Sequence, residues 1–357
     1  MTKSYLGVDL GATSIKIVEL KEEAGRPRLL TYGYTEQSIG YPEKEFTETP
    51  ERAIDLIKKI SAKARTVSKQ AVAALPSASV FSSVINIPAD PGKDLAEAVR
   101  WEAKKIIPLP LEEMILDWKV LTPEGAVGTG AASLPGSPLT SAQKTTKILL
   151  TAAAKNLVKK YLDIFKGAGL NLVSLETETF ALVRALVGVD KSTVIIVDMG
   201  AASTAISIIE NGVPFLNRSL NVGGINITKE IATSLGIDFN QAEQMKFDVG
   251  MSPGAGGGMS KIVERSLLML LNEIKYCANI YQNQEGGSGK KIEKIILTGG
   301  GALLPNFIDY LSSALNMRVY AGNPWARIIY PEELRPILDE IGPKFSVAIG
   351  LAMRELE

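Results

Sequence analysis

Two short segments carry the residue types that handle phosphate. The first, Leu6-Gly7-Val8-Asp9-Leu10-Gly11-Ala12-Thr13-Ser14-Ile15-Lys16, reads as a strand, a tight turn and a second strand. Gly11 lets the amides of the turn, Ala12 included, close on a phosphate. Thr13 and Ser14 offer hydroxyls, Lys16 a cation, and Asp9 a carboxylate able to hold Mg²⁺ through water. Alone, this is equally an ordinary hairpin. The second segment, Val194-Ile195-Ile196-Val197-Asp198-Met199-Gly200-Ala201-Ala202-Ser203-Thr204, repeats the plan: apolar strand, Asp198, Gly200 two residues on, and a hydroxyl after the turn. Two such turns facing one another would grip phosphates from both sides and set two carboxylates at one hard cation.

A third segment, Ile295-Ile296-Leu297-Thr298-Gly299-Gly300-Gly301-Ala302-Leu303-Leu304-Pro305, is a buried strand that ends in three glycines and opens a helix. Glycines there let a flat base or ribose lie against the backbone. By itself it is also a plain strand-to-helix turn.

The elements that must position these segments follow from periodicity. Strands at 4–9, 14–20 and 28–35, a helix at 51–66 and a strand at 71–75 form a meander feeding an α/β unit. A segment of different character, about 80–154, holds strands at 80–87, 115–121 and 146–153 and a helix at 93–106, and reads as an inserted α+β subdomain. Within it, residues 122–144 are rich in Gly, Ala, Ser, Thr and Pro and read as a mobile loop. Helix 155–167, strand 170–175 and helix 178–187 follow. The opening pattern then returns as strands at 193–199, 203–210 and 213–219, helices near 225–236, 240–247 and 260–283, strand 293–298, helix 305–315 and a last helix at 345–356. MSPGAGGGM at 251–259 and QEGGSGKK at 284–291 read as exposed loops.

Composition removes whole classes of chemistry. Lys plus Arg and Asp plus Glu are 39 each, so no net field steers the surface to nucleic acid or an anionic bilayer. Without histidine there is no Ser-His-Asp or Cys-His catalysis and no His-containing zinc site. The single cysteine, Cys277, falls in a helical pattern and reads as packed and inert. The start of the chain lacks a signal-peptide layout, and no uncharged apolar run approaches the roughly 18 residues of a spanning helix, so a cytoplasmic location is expected.

The ordered set of first phosphate loop, second phosphate loop and glycine turn resembles the actin and heat-shock-chaperone ATPase superfamily. That resemblance implies an actin-like α/β fold, two ribonuclease-H-like domains around a cleft for ATP and Mg²⁺. Domain I would comprise 1–187 with 345–357, containing the insertion, and domain II 188–344. It assigns Thr177 to Leu182 as the start of a first connecting helix, with Glu178 near the metal and the hydrolytic water, and Val347 to Ala352 as the second. It matches Gly223 and Gly224, in Asn221 to Thr228, to a phosphate-side turn at a helix N-terminus. It sets Glu243 and Lys246 at the ribose, although at i and i+3 the pair also reads as a solvated salt bridge.

Within the superfamily, the stretch from Ala98 to Glu113 followed by Ile115 to Leu121 is similar to the PilM family of type IV pilus assembly proteins. The resemblance implies an ATP-binding scaffold, at most a slow ATPase, whose subdomain receives the cytoplasmic N-terminal peptide of a PilN-like inner-membrane protein. It suggests Ile107, Pro108 and Leu109 for that groove, while Trp101 and Trp118 read simply as subdomain core. Two alternatives stand beside it. One is FtsA-like, with the end at Glu357 leaving no room for that family's C-terminal membrane helix. The other is a small-molecule kinase, for which Asp90 and Asp94 are the acids available.

Overall fold

A computed structural model describes residues 3–36, 46–88, 95–121, 127–128, 145–252, 258–283 and 291–356. Most of the loops at 122–144, 251–259 and 284–291, and both Asp90 and Asp94, lie outside them. The chain forms two compact units, one of residues 1–75 and 162–357, the other of 76–161.

The larger unit contains the same sheet twice. In the first, β1 (Ser4–Leu10), β2 (Ser14–Glu23) and β3 (Arg26–Glu36) form an antiparallel meander. Helix α1 (Pro50–Ala64) then returns the chain to β4 (Gln70–Leu75), parallel to β1, and β9 (Asn171–Thr177) adds to β4, giving the order β3-β2-β1-β4-β9. In the second, β10 (Val194–Met199), β11 (Thr204–Glu210) and β12 (Val213–Leu220) repeat the meander, with β13 (Lys294–Thr298) and β14 (Val319–Ala321) parallel beyond β10. The crossovers that parallel pairing demands are α5 (Gly224–Leu235), α6 (Phe239–Val249) and α7 (Met259–Asn283) before β13, and α8 (Phe307–Leu315) before β14. The three-residue β14 gave too short an apolar pattern to be anticipated.

Two helices lie between the sheets. α4 (Glu178–Leu182) begins directly at the end of β9 and continues as a π turn over Val183–Val187. α9 (Arg335–Met353) starts well before the expected residue 345 and carries Pro343 inside it. Ala181, Leu182, Val183, Val347 and Leu351 pack with Val72 and Ala74 of β4 and with Val194, Ile196 and Ile296 of the second sheet, so one apolar layer joins both halves. The approach is backbone to backbone: a Cβ on Gly350 would overlap the Ala181 carbonyl, and one on Gly7 the Ala348 carbonyl. A second core between β10, β11, α5 and α7 holds Cys277, fully buried, its thiol pushed up to about 11, first by desolvation and then by Glu273.

The smaller unit is a four-stranded sheet in the order β5-β8-β6-β7, from β5 (Val80–Pro88), β6 (Met114–Leu121), β7 (Val127–Gly128) and β8 (Thr145–Ala154). Helix α2 (Leu95–Ile106) packs on it through Val99 and Ala103 against Ile87, Ile148 and Leu150. Helix α3 (Lys155–Ala168) carries the chain out of it.

Candidate functional site

The two phosphate-type turns have one geometry. Gly11 N donates to Ser14 O at 3.0 Å and Gly200 N to Ser203 O at 2.9 Å, so each hairpin closes over two residues, Ala12-Thr13 and Ala201-Ala202. Asp9 and Asp198 sit at the carboxyl ends of β1 and β10, where side chains in parallel-containing sheets open onto crevices. Asp9 pairs in register with Lys16, and Lys16 Nζ reaches Asp9 Oδ2 at 3.0 Å.

Both turns line a cavity of about 490 Å³, within the range typical of small-molecule sites. Asp9, Gly11, Ala12, Thr13, Ser14 and Lys16 enter from one side, and Asp198, Gly200, Ala201, Ala202 and Ser203 from the other. Glu178 at the head of α4, Gly224, Glu243, Lys246 and the run Gly299, Gly300, Gly301 complete the expected set. Gly223 and Leu303 are not on the wall; Leu304 takes the latter's place. Ile107, Pro108 and Leu109 belong to the smaller unit and form no part of this cavity.

The glycines divide by role. Gly299 has φ +80, and a Cβ there would overlap the Asp198 carboxylate; its amide donates to the Pro343 carbonyl at 3.0 Å, and Thr298 Oγ1 does so at 3.1 Å. Gly301 faces Met199, whose side chain a Cβ would strike. Gly300 has open space where a Cβ would stand. Gly223 is needed because a Cβ would lie 2.5 Å from the Ala201 carbonyl.

The N-terminus of α5 is not the free anion nest expected at Gly223-Gly224. Gly224 N and Ile225 N already donate to Gly200 O at 3.0 Å and Ala201 O at 2.9 Å. These amides hold the second turn in place instead of reaching for a ligand.

Glu243 and Lys246 are likewise more than a solvated pair. Lys246 is 6% exposed. Its ammonium donates to Glu243 Oε2 at 2.6 Å, Thr228 Oγ1 at 2.9 Å and Gly224 O at 3.2 Å, and Thr228 Oγ1 also donates to Glu243. Burial holds the Lys246 pKa below its ordinary value, against the pull of Glu243. The cluster ties α6 to α5 and so to the second turn.

Sequence reasoning missed several wall residues. Phe239 and Phe247 lie four residues to either side of Glu243, a helical spacing that could have revealed them. Pro343 and Lys344 come from the part of α9 that begins earlier than expected, and Ser346 lies just inside the expected helix.

Electrostatically the cavity is poised for a cation. The Asp198 carboxyl is pushed up to about 6, first by desolvation and then by the charge of Asp9, with Lys16 opposing. Among the described residues no group of three or more His, Cys, Asp or Glu side chains could cage a metal. Asp9 and Asp198 present carboxylate oxygens, the donor type that hard cations such as Mg²⁺ take beside water and phosphate oxygens.

Repeated sheets, interleaved helices and paired Asp-Gly turns define an actin-like ATPase fold, and known proteins agree. A chain of the PilM–PilN type IV pilus biogenesis complex is 28% identical, with a TM-score of 0.81, 99% of this chain and 98% of that one being covered. MreB 5 of Spiroplasma citri, solved with AMPPNP, is 14% identical with a TM-score of 0.50 over 98% and 95% of the two chains. The family profile "Type IV pilus assembly protein PilM" matches residues 7–356, and the chain belongs to that family. The cell division protein FtsA of Neisseria meningitidis is 22% identical over 272 residues, 70% of this chain but 64% of FtsA, so the chain spans less than two thirds of that relative's length.

In the smaller unit the two tryptophans part company. Trp118 packs with the core, as does buried Ile107, whereas Trp101 is 62% exposed beside Lys104 and Leu109 is exposed as well. Reading Trp101 as core is corrected: its position on α2 points away from Val99 and Ala103. Among the described residues no helix is long and apolar enough to cross a membrane.

Proposed function

We propose that the cleft binds ATP with Mg²⁺ near Asp9 and Asp198, and that the chain is a scaffold of the type IV pilus inner-membrane assembly platform. In this reading it binds the cytoplasmic N-terminal peptide of a PilN-like membrane protein and is held at the membrane through that partner. The observation that carries it is the near-complete overlap, at 28% identity, with a chain of the PilM–PilN complex, joined to a cavity lined by two matching Asp-Gly turns. Domain I is 1–187 with 345–357, domain II is 188–344, and the inserted part, about 80–154, receives the peptide; the compactness of 76–161 supports its independence.

Within the cleft, the turn amides of Ala12 and Ala201, with the hydroxyls of Thr13, Ser14 and Ser203, bind phosphate oxygens, and Lys16 offsets their charge. Gly300 and its neighbours accept the adenosine, and the Glu243–Lys246 cluster the ribose. Asp9 and Asp198 would hold Mg²⁺ through water, and the ion would supply positive charge against the phosphates and the two carboxylates. Glu178, if hydrolysis occurs, orients the attacking water; a slow turnover suits a scaffold in which nucleotide fixes the angle between domains.

Calorimetric titration with the N-terminal peptide of the host's PilN-like protein, with and without Mg-ATP, tests the reading. Saturable one-to-one binding supports it. Mg-ATP binding without peptide binding moves the function toward the division-type reading that the FtsA similarity favours.

A further inference from the structure

Outside the cavity lining lies a largely buried charge cluster, none of whose residues is on the cavity wall. Glu176, next to last in β9, has 7% side-chain exposure. Its Oε1 accepts from Arg184 Nη1 at 2.7 Å, and its Oε2 from Arg184 Nη2 at 3.0 Å and from Arg354 Nη1 at 3.2 Å. Arg184 Nη1 also donates to the Gly350 carbonyl at 2.6 Å. Arg184 stands in the π turn that continues α4, and Arg354 follows the last residue of α9. One carboxylate thus joins a strand end and both helices that run between the sheets.

Those two helices also build the cleft. Glu178 heads α4, and Pro343, Lys344, Ser346 and Val347 are the cleft-lining part of α9. Between cleft and cluster the helices touch at Ala181 and Gly350 with no side chain between them. A backbone contact of that kind has little give, so rotation at the charged end is transmitted to the cleft end. The π turn is held from its other side as well, Arg327 Nη1 donating to the Arg184 carbonyl at 2.6 Å. π turns recur at functional sites.

We propose that the Glu176–Arg184 pair is a positioning element for the nucleotide site: by fixing how α4 crosses α9, it sets Glu178 and the Lys344–Val347 wall at the distance that Mg-ATP requires. This rests on the nucleotide reading above. A planar guanidinium held by both carboxylate oxygens fixes orientation as well as distance. The proposal is therefore specific to the bidentate pair. Arg354, its side chain 31% exposed, makes a single contact to Glu176 and a looser one to Glu355 Oε1 at 3.6 Å, and adds charge balance.

The test separates stability from affinity. In Glu176→Gln/Arg184→Gln both buried charges are removed together, which costs a fold far less than removing one, and Arg354 can turn to solvent. The expected result is a urea midpoint close to that of the wild type without nucleotide, with the Kd for Mg-ATP raised at least tenfold, while Arg354→Gln stays within twofold. A merely structural pair would change midpoint and Kd together, or neither. A folded double variant that binds Mg-ATP within threefold of the wild type overturns the proposal. Arg184→Lys, which keeps the charge and loses the fork, is the second variant should the double one fail to fold; it too should raise the Kd, and unchanged affinity overturns the proposal equally. If the wild type itself binds no Mg-ATP, the nucleotide reading fails and takes this one with it. Wild-type binding with unchanged variants removes this one alone.

Discussion

Replacing Asp198 by Asn should make the ligand-free protein more stable at neutral pH while removing its affinity for Mg-ATP. The Asp198 carboxyl is raised from 3.8 to about 6, chiefly by desolvation. The fold therefore holds this proton more tightly than the unfolded chain does. The associated stability is fully present below pH 3.8 and is lost as pH rises through about 6. Two pKa units correspond to about 3 kcal/mol at most. Cavity water on one side of the carboxylate reduces this, so a gain of about 1–3 kcal/mol at pH 7.5 is expected for Asp198→Asn. Between pH 4.5 and 7.5 the difference from the wild type should grow by up to about 2 kcal/mol. Urea unfolding across that range measures it, because the carboxylates remote from the cleft have the same surroundings in both proteins and cancel. Mg-ATP should raise the wild-type midpoint and leave that of the variant unmoved. A variant no more stable than the wild type at pH 7.5, or one with the same gain at both ends of the range, would refute the assignment of a strained, cation-seeking carboxylate.

Three further outcomes follow from the packing. Gly350→Ala forces a methyl group into the Ala181 carbonyl and should cost about 1–3 kcal/mol or more, seen as a lowered urea midpoint; an unchanged midpoint would show that the helices are not in backbone contact. Gly300→Val meets open space, so the variant should fold normally and weaken ATP binding at least tenfold in calorimetry, whereas Gly301→Val should fail by colliding with Met199. Trp118→Ala should cost about 2 kcal/mol through loss of core packing, while Trp101→Ala, on an exposed face, should stay within about 0.5 kcal/mol; thermal melts of the two distinguish them.

How much of this was legible in advance is clearest in the cleft. The two Asp-Gly turns declared themselves because each is a local object, a strand end and a turn whose residue types are set within a dozen positions. Their duplication at the head of two identical meanders exposed the repeated sheet, since alternation and turn residues are written residue by residue. Helix α9 was caught only in its second half, because Pro343 and Gly342 break the apolar run although the surrounding contacts keep the helix going.

What the sequence by itself determined is therefore the inventory: which segments are strands, which carboxylates and glycines stand at their ends, and that the plan occurs twice. Tertiary structure decided what each side chain does. Lys246 became a buried tie, the α5 amides were taken up by the second turn, and Asp198 was driven toward its protonated form by desolvation, with the charge of Asp9 adding to it. Glu176 gained two arginines, one of them 178 residues away in the chain. Such outcomes depend on which elements the sheet order brings together, and on how much water the packing excludes. Neither quantity is carried by any local spacing of residues.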